Sequence, residues 1–366
     1  MMVTSRLASL QNLLRRRKLD AILVTQPENR FFLSGYTATD HGIGESSGVL
    51  LIPRRGAPFL LTDSRFTLQA EQEATEFEVK LYKKGLISLL SNLLPQIAVK
   101  RLAFESSYLL HSTHVKLEKA AQKIGVETIA TTELIEQLRM EKREEEIAAI
   151  RRAVELNERI FKEIHRGIAP GISELELALK IETRMRELGT QRPSFDTIVA
   201  FGDNSAKPHA MPTERRLMKG EIVLIDMGLV HKGYCSDMTR TFFMGEPDPL
   251  YIERHRVVRA AQLAGIAAVR AGAVCRDVDG AARKIIADAG YKDAFSHSLG
   301  HGVGLAVHEE PRLSMRNRKK LRSSMVVTIE PGIYFPNWGG IRLENMVVVR
   351  DDGCEQLNTD TTWLDI

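Results

Sequence analysis

The alternation of apolar and polar positions divides the first 135 residues into helical and strand-like segments. Apolar residues spaced three and four apart predict helices at residues 5–17, 64–74, 86–97 and 112–123. Short apolar runs predict strands at residues 21–24, 47–53, 58–62, 77–82, 101–104 and 126–130, the second and third forming a hairpin. This alternation predicts an α/β domain on a parallel or mixed sheet, spanning residues 1–135.

A strongly charged helical stretch follows, from Glu136 to His165. Its mixture of acidic and basic residues is typical of a helix face in contact with solvent, and we interpret it in that way. The change in composition marks the start of a second domain, so that the second domain is expected to span residues 136–366.

The second domain contains an internal repeat, which predicts a pseudo-two-fold architecture. Its two units run from Gly171 to Gly189 and from Gly272 to Gly290, and each is an amphipathic helix that follows a longer helix. Some 18 to 20 residues after each unit comes a histidine, His209 or His308, and then an apolar strand that ends in an acid before glycine. Two helices followed by two strands, repeated once, predict an α+β domain.

The strand pair of the first unit predicts a hairpin that carries two aspartates. Residues 222–225 form an apolar strand that ends in Asp226, and the chain turns near His231 and returns through Asp237. A pivot between residues 231 and 232 places the two aspartates directly opposite each other, where like charges repel. Taken alone, the pair has the alternative interpretation of two solvated aspartates beside a turn.

The second unit repeats this arrangement with two glutamates. Its hairpin is centred on Asn337, which places Glu330 opposite Glu344. Four buried carboxylates at one centre repel one another unless protons or cations neutralise them, and two divalent ions balance four charges. Carboxylates that bridge two metal ions are the arrangement with which hydrolases produce hydroxide at neutral pH.

A further metal ligand is expected from residues 297–311, which contain three histidines ahead of the second acidic hairpin. His301 lies between two glycines, whose missing side chains permit close approach of the backbone to a crowded site. His297 and His308 flank it. A single histidine is more often an ordinary polar residue, but three so close to an acidic hairpin favour a ligand.

Composition and charge exclude several other classes of protein. The chain has 366 residues, of which 43% are hydrophobic and 27% charged, as in ordinary globular proteins. A net charge of +4, without a basic run interleaved with aromatic residues, argues against a nucleic-acid partner. Three isolated cysteines indicate a reducing compartment, and the apolar runs are too short for a membrane span. We therefore expect a cytoplasmic protein.

Five sequence blocks together resemble the pita-bread metallopeptidases, most closely the proline-specific branch of aminopeptidase P and prolidase. The blocks are P-H-A-M-P, D-M-G with S-D-M-T-R-T, H-S-L-G-H-G-V-G with H-E-E-P, T-I-E-P-G-I-Y and G-I-R-L-E-N. The N-terminal domain, residues 1–135, is similar to the creatinase-type first domain of that branch. The resemblance implies five metal ligands, which are Asp226, Asp237, His301, Glu330 and Glu344.

The resemblance also implies roles in the reaction. His209 or His308 is expected to stabilise the oxyanion together with a metal ion. Glu330 is expected to carry a proton from the attacking water, shared by the two ions, to the proline nitrogen. His297 is expected to line the proline side of the pocket.

Two further positions bear on the branch and on metal affinity. Arg342, which proline-specific members have, is expected either to contact the substrate or to form a salt bridge with Asp237 or Glu344. Asn345 stands where many members have aspartate, which leaves the ligand set intact but removes a charge beside it.

We therefore expect an Xaa-Pro aminopeptidase that acts on short proline-containing peptides with two divalent metal ions and works as a homodimer. Manganese is expected first because four carboxylates and one imidazole favour hard ions, with cobalt and zinc as alternatives. An Xaa-Pro dipeptidase (prolidase), a small-molecule C–N hydrolase or a lyase on the same scaffold, and a non-catalytic binding module are the other functions open to this sequence.

Overall fold

The computed structural model describes residues 2–366, which form two compact units that meet in sequence between Arg139 and Met140. Compactness alone does not test whether each unit is an independent domain, so the predicted domain boundary at residue 135 stays a prediction. Among the described residues, no helix combines the length and the apolar character needed to span a membrane.

The first unit is a six-stranded mixed sheet with helices, as the sequence predicts. Its strands are β1 (Ala21–Val24), β2 (Val49–Pro53), β3 (Phe59–Thr62), β4 (Glu78–Leu81), β5 (Arg101–Glu105) and β6 (Glu127–Thr131), in the order β4-β3-β2-β1-β5-β6. Its helices are α1 (Met2–Arg16), α2 (Pro27–Ser34), α3 (Thr67–Glu73), α4 (Leu86–Gln96), α5 (His111–Lys123) and α6 (Glu136–Arg139). β2 is antiparallel to both of its neighbours, and the other pairs are parallel.

Helix α2 is the one element of this unit that the hydrophobic pattern does not predict. It has eight residues, too few for helical periodicity to stand out. Its end signals are present, because Pro27 is its first residue and Gly35 follows it with φ 76°. The buried carboxylate of Glu105 accepts the backbone N–H of Gln26 at 2.8 Å, just before the helix. Burial raises the pKa of Glu105 to about 7, against the lowering effect of its hydrogen bonds.

The second unit holds four long helices and many short strands. The helices are α7 (Glu144–His165), α8 (Glu174–Glu187), α9 (Pro249–Ala268) and α10 (Cys275–Asp288). The strands before α9 are β7 (Arg192–Pro193), β8 (Ile198–Phe201), β9 (Ile222–Met227), β10 (Leu229–His231), β11 (Tyr234–Cys235) and β12 (Met238–Phe243). Those after α10 are β13 (Gly300–Gly302), β14 (Glu309–Leu313), β15 (Val326–Ile329), β16 (Gly332–Phe335), β17 (Gly339–Arg342), β18 (Asn345–Arg350) and β19 (Gly353–Gln356).

The internal repeat is visible in the packing of this unit. One hydrophobic core joins α7 and α8 to β8, β9 and β12, and a second joins α9 and α10 to β14, β15 and β18. The sheets have the orders β12-β9-β8 and β14-β13-β15-β18-β19, with smaller sheets β11-β10-β7 and β16-β17 beside them. The predicted fold, an α/β N-terminal part followed by an α+β part with a pseudo-two-fold repeat, is confirmed.

The charged stretch after residue 136 is not a fully solvated helix face, so that interpretation is wrong. The stretch breaks between α6 and α7, and several of its charged side chains are buried. Lys142 Nζ lies 3.0 Å from a carboxylate oxygen of Glu309, and Glu146 accepts the hydroxyl of Tyr234 at 2.7 Å. These partners lie far away in the sequence, so a local charge pattern does not reveal them.

The predicted register of the first hairpin is also wrong. Asp226 pairs with Thr239, and His231 with Tyr234, so the hairpin pivots one residue later than predicted. The reason is the turn, in which Lys232 (φ 50°) and Gly233 (φ 83°) both have positive φ. That conformation fits a two-residue turn, which matches the right-handed twist of the strands. Asp237 is therefore a diagonal neighbour of Asp226 and not its direct partner.

The predicted register of the second hairpin is confirmed. β16 and β17 pair Gly332 with Arg342, and β15 and β18 pair Ile329 with Asn345 around the same centre. The centre is Asn337, whose φ of 64° makes the turn. Glu330 and Glu344 lie between the two ladders.

Candidate metal centre

One cavity of about 620 Å³ in the second unit collects every site residue that the sequence singles out. These residues are His209, Asp226, Asp237, His297, His301, His308, Glu330, Arg342 and Glu344. They come from both halves of the repeat, so the cavity lies where the two halves meet. The predicted pseudo-two-fold arrangement thus brings four acids and four histidines to one place.

His301 is held with one ring nitrogen facing the acids. Its Nδ1 lies 3.0 Å from the carbonyl oxygen of Gly302, which can only accept, so Nδ1 carries the proton. Nε2 lies 3.3 Å from Glu330 Oε1 and 3.6 Å from Asp237 Oδ2. A histidine that donates one N–H to a carbonyl and presents the other nitrogen is typical of a metal ligand. The strand is close-packed here, since a Cβ on Gly300 would lie 2.0 Å from a backbone oxygen.

The four carboxylates of the cavity are buried close to one another, and their mutual repulsion calls for a neutralising counter-charge. Burial, reinforced by the neighbouring acids, raises the pKa of Asp237 and that of Glu344 well above their ordinary values. Burial also raises the pKa of Asp226. Oδ1 of Asp226 and Oε1 of Glu344 are buried and accept no hydrogen bond from the described residues. Buried carboxylate oxygens without partners are costly, and metal ions would satisfy them.

Glu330 differs from the other three acids. Burial works to raise its pKa, but the hydrogen bond from His301 and the charge of that ring lower the pKa to about 2. The pKa of His301 is raised by the same contact although burial opposes this. Thr328 also donates its hydroxyl to Glu330 Oε1 at 3.1 Å. Glu330 is thus the carboxylate of the cluster most strongly held in its ionised form.

Arg342 is buried and bonds to Asp226, not to either acid expected from the sequence. Its Nη2 lies 2.6 Å from Asp226 Oδ2. Its Nε donates to the hydroxyl of Thr239 at 3.0 Å, and that hydroxyl in turn donates to Glu344 at 2.7 Å. The expected salt bridge to Asp237 or Glu344 is therefore replaced by a direct pair with Asp226 and an indirect link to Glu344.

His297 lines the cavity with both ring nitrogens engaged. Nδ1 lies 2.8 Å from the carbonyl oxygen of Ser298 and therefore donates to it, so Nε2 accepts the hydroxyl of Tyr334 at 3.0 Å. Tyr334 in turn accepts Arg342 Nη1 at 2.7 Å. Burial lowers the pKa of His297, which favours this neutral state. The sequence analysis did not identify Tyr334, although its place on β16 beside Glu330 was a signal.

The other two histidines lie on opposite halves of the repeat. The His308 ring packs edge-on against His301, with 4.4 Å between ring centroids. Burial and the charge of His301 lower the pKa of His308 to about 4, so the ring is neutral at pH 7. His209 lies on the long loop between β8 and β9.

Asn345, the position where many family members have aspartate, donates a hydrogen bond from its side-chain amide to the side-chain oxygen of Gln356 at 3.0 Å.

The wall of the cavity contains residues that sequence reasoning missed. Most are apolar or small and come from two segments: Phe195, Ile198, Pro208, Ala210, Met211 and Pro212. Arg312 on β14 also lines the cavity, with an exposed guanidinium that enters no ion pair with the described residues. Its position directly after the H-E-E-P block was the available signal.

Five residues of this cavity fit a site for hard divalent ions. Ligand atoms of Asp237, His301 and Glu344 lie within 4.8 Å of one another, and Asp226 and Glu330 lie beside them. Carboxylate oxygens with one imidazole are ligands that such ions accept. Asp226 and Glu344, each with one buried oxygen that accepts no hydrogen bond within residues 2–366, both line the cavity. The donor set and its unmet charge therefore support metal binding.

Comparison with known proteins agrees with this chemistry. The sequence profile of metallopeptidase family M24 matches residues 148–351, and that of the creatinase/prolidase N-terminal domain matches residues 6–141. An uncharacterized peptidase from Bacillus subtilis (strain 168) is 36% identical over 348 residues, which cover 95% of this chain and 96% of the relative.

Solved structures resemble the chain over nearly its whole length. Xaa-Pro dipeptidase from Bacillus anthracis has a TM-score of 0.92 and 34% identity, covering 98% of both chains. X-Pro aminopeptidase from Thermotoga maritima MSB8 has a TM-score of 0.86 and 36% identity, covering 95% of this chain and 98% of the other. The prolidase from Pyrococcus horikoshii OT3 has a TM-score of 0.87 and 32% identity, covering 97% and 98%. The chain is therefore an enzyme of the pita-bread type that belongs to metallopeptidase family M24, with a creatinase/prolidase N-terminal domain.

Proposed function

We propose that this chain hydrolyses the peptide bond before proline at the N-terminus of short peptides, as an Xaa-Pro aminopeptidase. The observation that carries the proposal is a group of four carboxylates and His301 that lines one cavity. Two of the carboxylate oxygens are buried and accept no hydrogen bond from any residue that the structure describes. The cavity of about 620 Å³ has room for a short peptide. Similar solved structures include an Xaa-Pro dipeptidase and an X-Pro aminopeptidase, and both names support peptides with proline at the second position as the substrate class.

Two divalent ions, manganese first among them, would be held by five residues in this proposal: Asp226, Asp237, His301, Glu330 and Glu344. When bound, such ions supply Lewis-acid activation of water and of a carbonyl group. The protein keeps the ligands in place through a surrounding shell. Gly302 fixes the tautomer of His301, Thr239 orients Glu344, and Arg342 orients Asp226.

The chain's own residues would handle the proton and the developing charge. Glu330 would accept a proton from the attacking water and pass it to the proline nitrogen. His308 and His209, which both line the cavity, would donate hydrogen bonds to the oxygen that becomes negatively charged. His297 is turned toward Tyr334, so it would contribute a surface on the proline side instead of a free hydrogen-bonding group.

Proline explains why such a pocket is needed. The amide before proline has no N–H, so an enzyme that grips that N–H cannot orient the bond. The wall of this cavity instead offers rings and methyl groups, including Phe195, Met211 and Pro212. An apolar wall can hold the side chain before the bond and the pyrrolidine ring by contact alone.

Arg312 favours a second candidate, an Xaa-Pro dipeptidase. Its exposed guanidinium lines the cavity and enters no ion pair within residues 2–366. The carboxyl terminus of a dipeptide lies close to the cleaved bond, and a guanidinium binds a carboxylate in a two-point arrangement. A longer peptide carries that carboxylate farther from the bond, where Arg312 would not meet it in the same way.

The deciding experiment compares an X-Pro dipeptide with an X-Pro-Y tripeptide, using metal-stripped protein to which manganese is returned. Cleavage of the tripeptide supports the aminopeptidase, and cleavage of the dipeptide alone supports the dipeptidase. An Arg312→Met variant should raise KM for the dipeptide about tenfold or more if the arginine binds its carboxylate. Arg316→Met, an exposed change outside the cavity lining, is the matched control. Metal binding with neither peptide cleaved would refute the proposal.

We also propose a cytoplasmic homodimer. Its supports are the family resemblance and the three cysteines, which are all free thiols. Analytical ultracentrifugation of the full chain tests the oligomeric state, and a monomer at micromolar concentration would contradict it.

A further inference from the structure

Glu174, the first residue of α8, is completely buried and accepts five hydrogen bonds. Oε1 accepts the backbone N–H of Phe201 at 2.7 Å and Asn204 Nδ2 at 3.0 Å. Oε2 accepts Asn204 Nδ2 at 2.9 Å, the backbone N–H of Thr213 at 2.9 Å and the Thr213 hydroxyl at 2.6 Å. A buried carboxylate with this many donors is strongly fixed, and so are the donors.

The donors stand at the two ends of one loop. Phe201 ends β8, Thr213 lies twelve residues later, and the carboxylate joins these two points. Between them lies one wall of the cavity, made of Pro208, His209, Ala210, Met211 and Pro212. The carboxylate therefore ties the two ends of this loop together, beside the hydrogen bond that the backbone N–H of Leu175 donates to the carbonyl oxygen of Thr213 at 3.1 Å.

Glu174 is not needed to cap its own helix. Ser173 accepts the backbone N–H of Glu176 at 3.1 Å, and Glu176 in return accepts the backbone N–H of Ser173 at 2.8 Å. This reciprocal pair is a complete capping box. The side chain of Glu174 is thus directed to the loop, while the backbone N–H of Glu174 donates to the carbonyl oxygen of Arg215 at 3.1 Å.

The middle of the loop is held from the side of the metal cluster. Arg342 Nη1 donates to the carbonyl oxygen of Pro208 at 3.2 Å, next to His209. The turn that begins the loop is held by Ser205, whose hydroxyl accepts the backbone N–H of Gly340 at 2.9 Å. The Glu174 carboxylate adds the side-chain hydrogen bonds that join the outgoing end of the loop at Thr213 to the other end at Phe201.

We propose that Glu174 is a positioning residue for the reaction, which holds the loop of residues 202–212 so that His209 and the apolar wall face the metal cluster. This inference rests on the proposed function. Glu174 acts through the loop and lies outside the cavity lining, so its loss leaves the five metal ligands in place.

Glu174→Gln is the informative variant because it preserves size and removes one acceptor. The two backbone N–H groups bond to different carboxylate oxygens, and a glutamine offers only one oxygen. One of these two backbone hydrogen bonds must then be lost, and its N–H donor faces the NH2 group of the glutamine, which loosens that end of the loop. Glu176→Gln is the matched control on the same helical turn, because glutamine also completes a capping box.

Two measurements test the proposal on the full chain loaded with manganese. Amide hydrogen exchange of residues 202–213 should accelerate about tenfold or more in Glu174→Gln and stay as in the wild type in Glu176→Gln. kcat/KM on an X-Pro peptide should fall about tenfold or more in Glu174→Gln, with manganese affinity unchanged by calorimetry.

A double-mutant cycle with His209→Asn separates positioning from a general structural role. If Glu174 acts through His209, Glu174→Gln should cost little further activity in the His209→Asn background. An equal loss in both backgrounds, or unchanged exchange of the loop, would overturn the proposal. If the wild type cleaves no X-Pro peptide, the proposed function fails, and the exchange measurement alone decides whether Glu174 anchors the loop.

Discussion

The buried ion pair between Lys142 and Glu309 allows a strong test of how this fold is held together. Lys142 lies just before α7, in a stretch whose charges suggest solvent, and Glu309 begins β14 directly after His308. We predict that Lys142→Met destabilises the second unit severely. The substitution keeps most of the apolar stem of the side chain, is one heavy atom shorter, and removes the ammonium group that carries the charge.

The magnitude follows from the geometry of the pair. Lys142 Nζ and Glu309 Oε2 lie 3.0 Å apart, and their side chains are only 2% and 7% exposed. At an effective dielectric constant of about 20, that separation corresponds to about 5 kcal/mol of attraction. Breaking a buried pair by removing one member costs about 3–5 kcal/mol. Glu309 also accepts the backbone N–H of Ala306 at 3.1 Å, so we expect about 3 kcal/mol.

Urea unfolding of the full chain, followed by tryptophan fluorescence, measures this loss. Both tryptophans, Trp338 and Trp363, belong to the second unit, so the signal reports on that unit. Arg322→Met is the control, because Arg322 and Glu141 also lie 3.0 Å apart but are half exposed, which limits their contribution to below about 1 kcal/mol. A Lys142→Met variant as stable as Arg322→Met would refute the reasoning.

Two further predictions concern metal binding and pH. In scanning fluorimetry, added manganese should raise the midpoint of thermal unfolding of the wild type, and a chelator should reverse this rise. The His301→Ala variant should lose most of the rise, and an equal rise in both proteins would contradict the proposed ligand set. Burial raises the pKa of Glu105 from its ordinary value of 4.5 to about 7, so between these values the folded chain binds more protons than the unfolded chain and its stability falls as pH rises. Relative to Glu105→Gln, the wild type should therefore lose about 2.5 kcal/mol of stability between pH 5 and pH 8. Native-state hydrogen exchange of β1 and β5 measures this loss, and a difference between the two proteins that does not change with pH would count against it.

The first unit could be predicted almost completely because its signals are local. Alternating helical and strand-like segments determine its mixed sheet, and only α2 was missed, since eight residues are too few for periodicity. The prediction that the charged stretch after residue 136 is a solvated helix face was wrong for the opposite reason. Lys142 is buried because Glu309 reaches it from β14, and no property of the neighbouring sequence carries that information.

The cavity was predictable in its acids and histidines but not in its supporting contacts. The repeat located Asp226 and Glu330, because each ends an apolar strand before a glycine. Arg342 was expected to pair with Asp237 or Glu344, yet it bonds to Asp226. Partner choice among neighbouring acids depends on side-chain geometry, which sequence spacing does not specify. Arg312 directly follows the H-E-E-P block and Tyr334 ends the T-I-E-P-G-I-Y block, but such a block does not reveal which of its neighbouring side chains line the cavity or bond within it.

The two aspartates of the first hairpin reach the cavity although the predicted register of that hairpin is wrong. Moving the pivot by one residue changes the partner of Asp226 from Asp237 to Thr239, which is a shift of two positions along the facing strand. Side chains alternate with a period of two, so a shift of two keeps both aspartates on one face, whereas a shift of one would separate them. Both aspartates therefore line the cavity despite the wrong register. Their place on one face follows from the parity of the spacing, but Thr239, the residue that links Arg342 to Glu344, follows only from the conformation of the turn at Lys232 and Gly233.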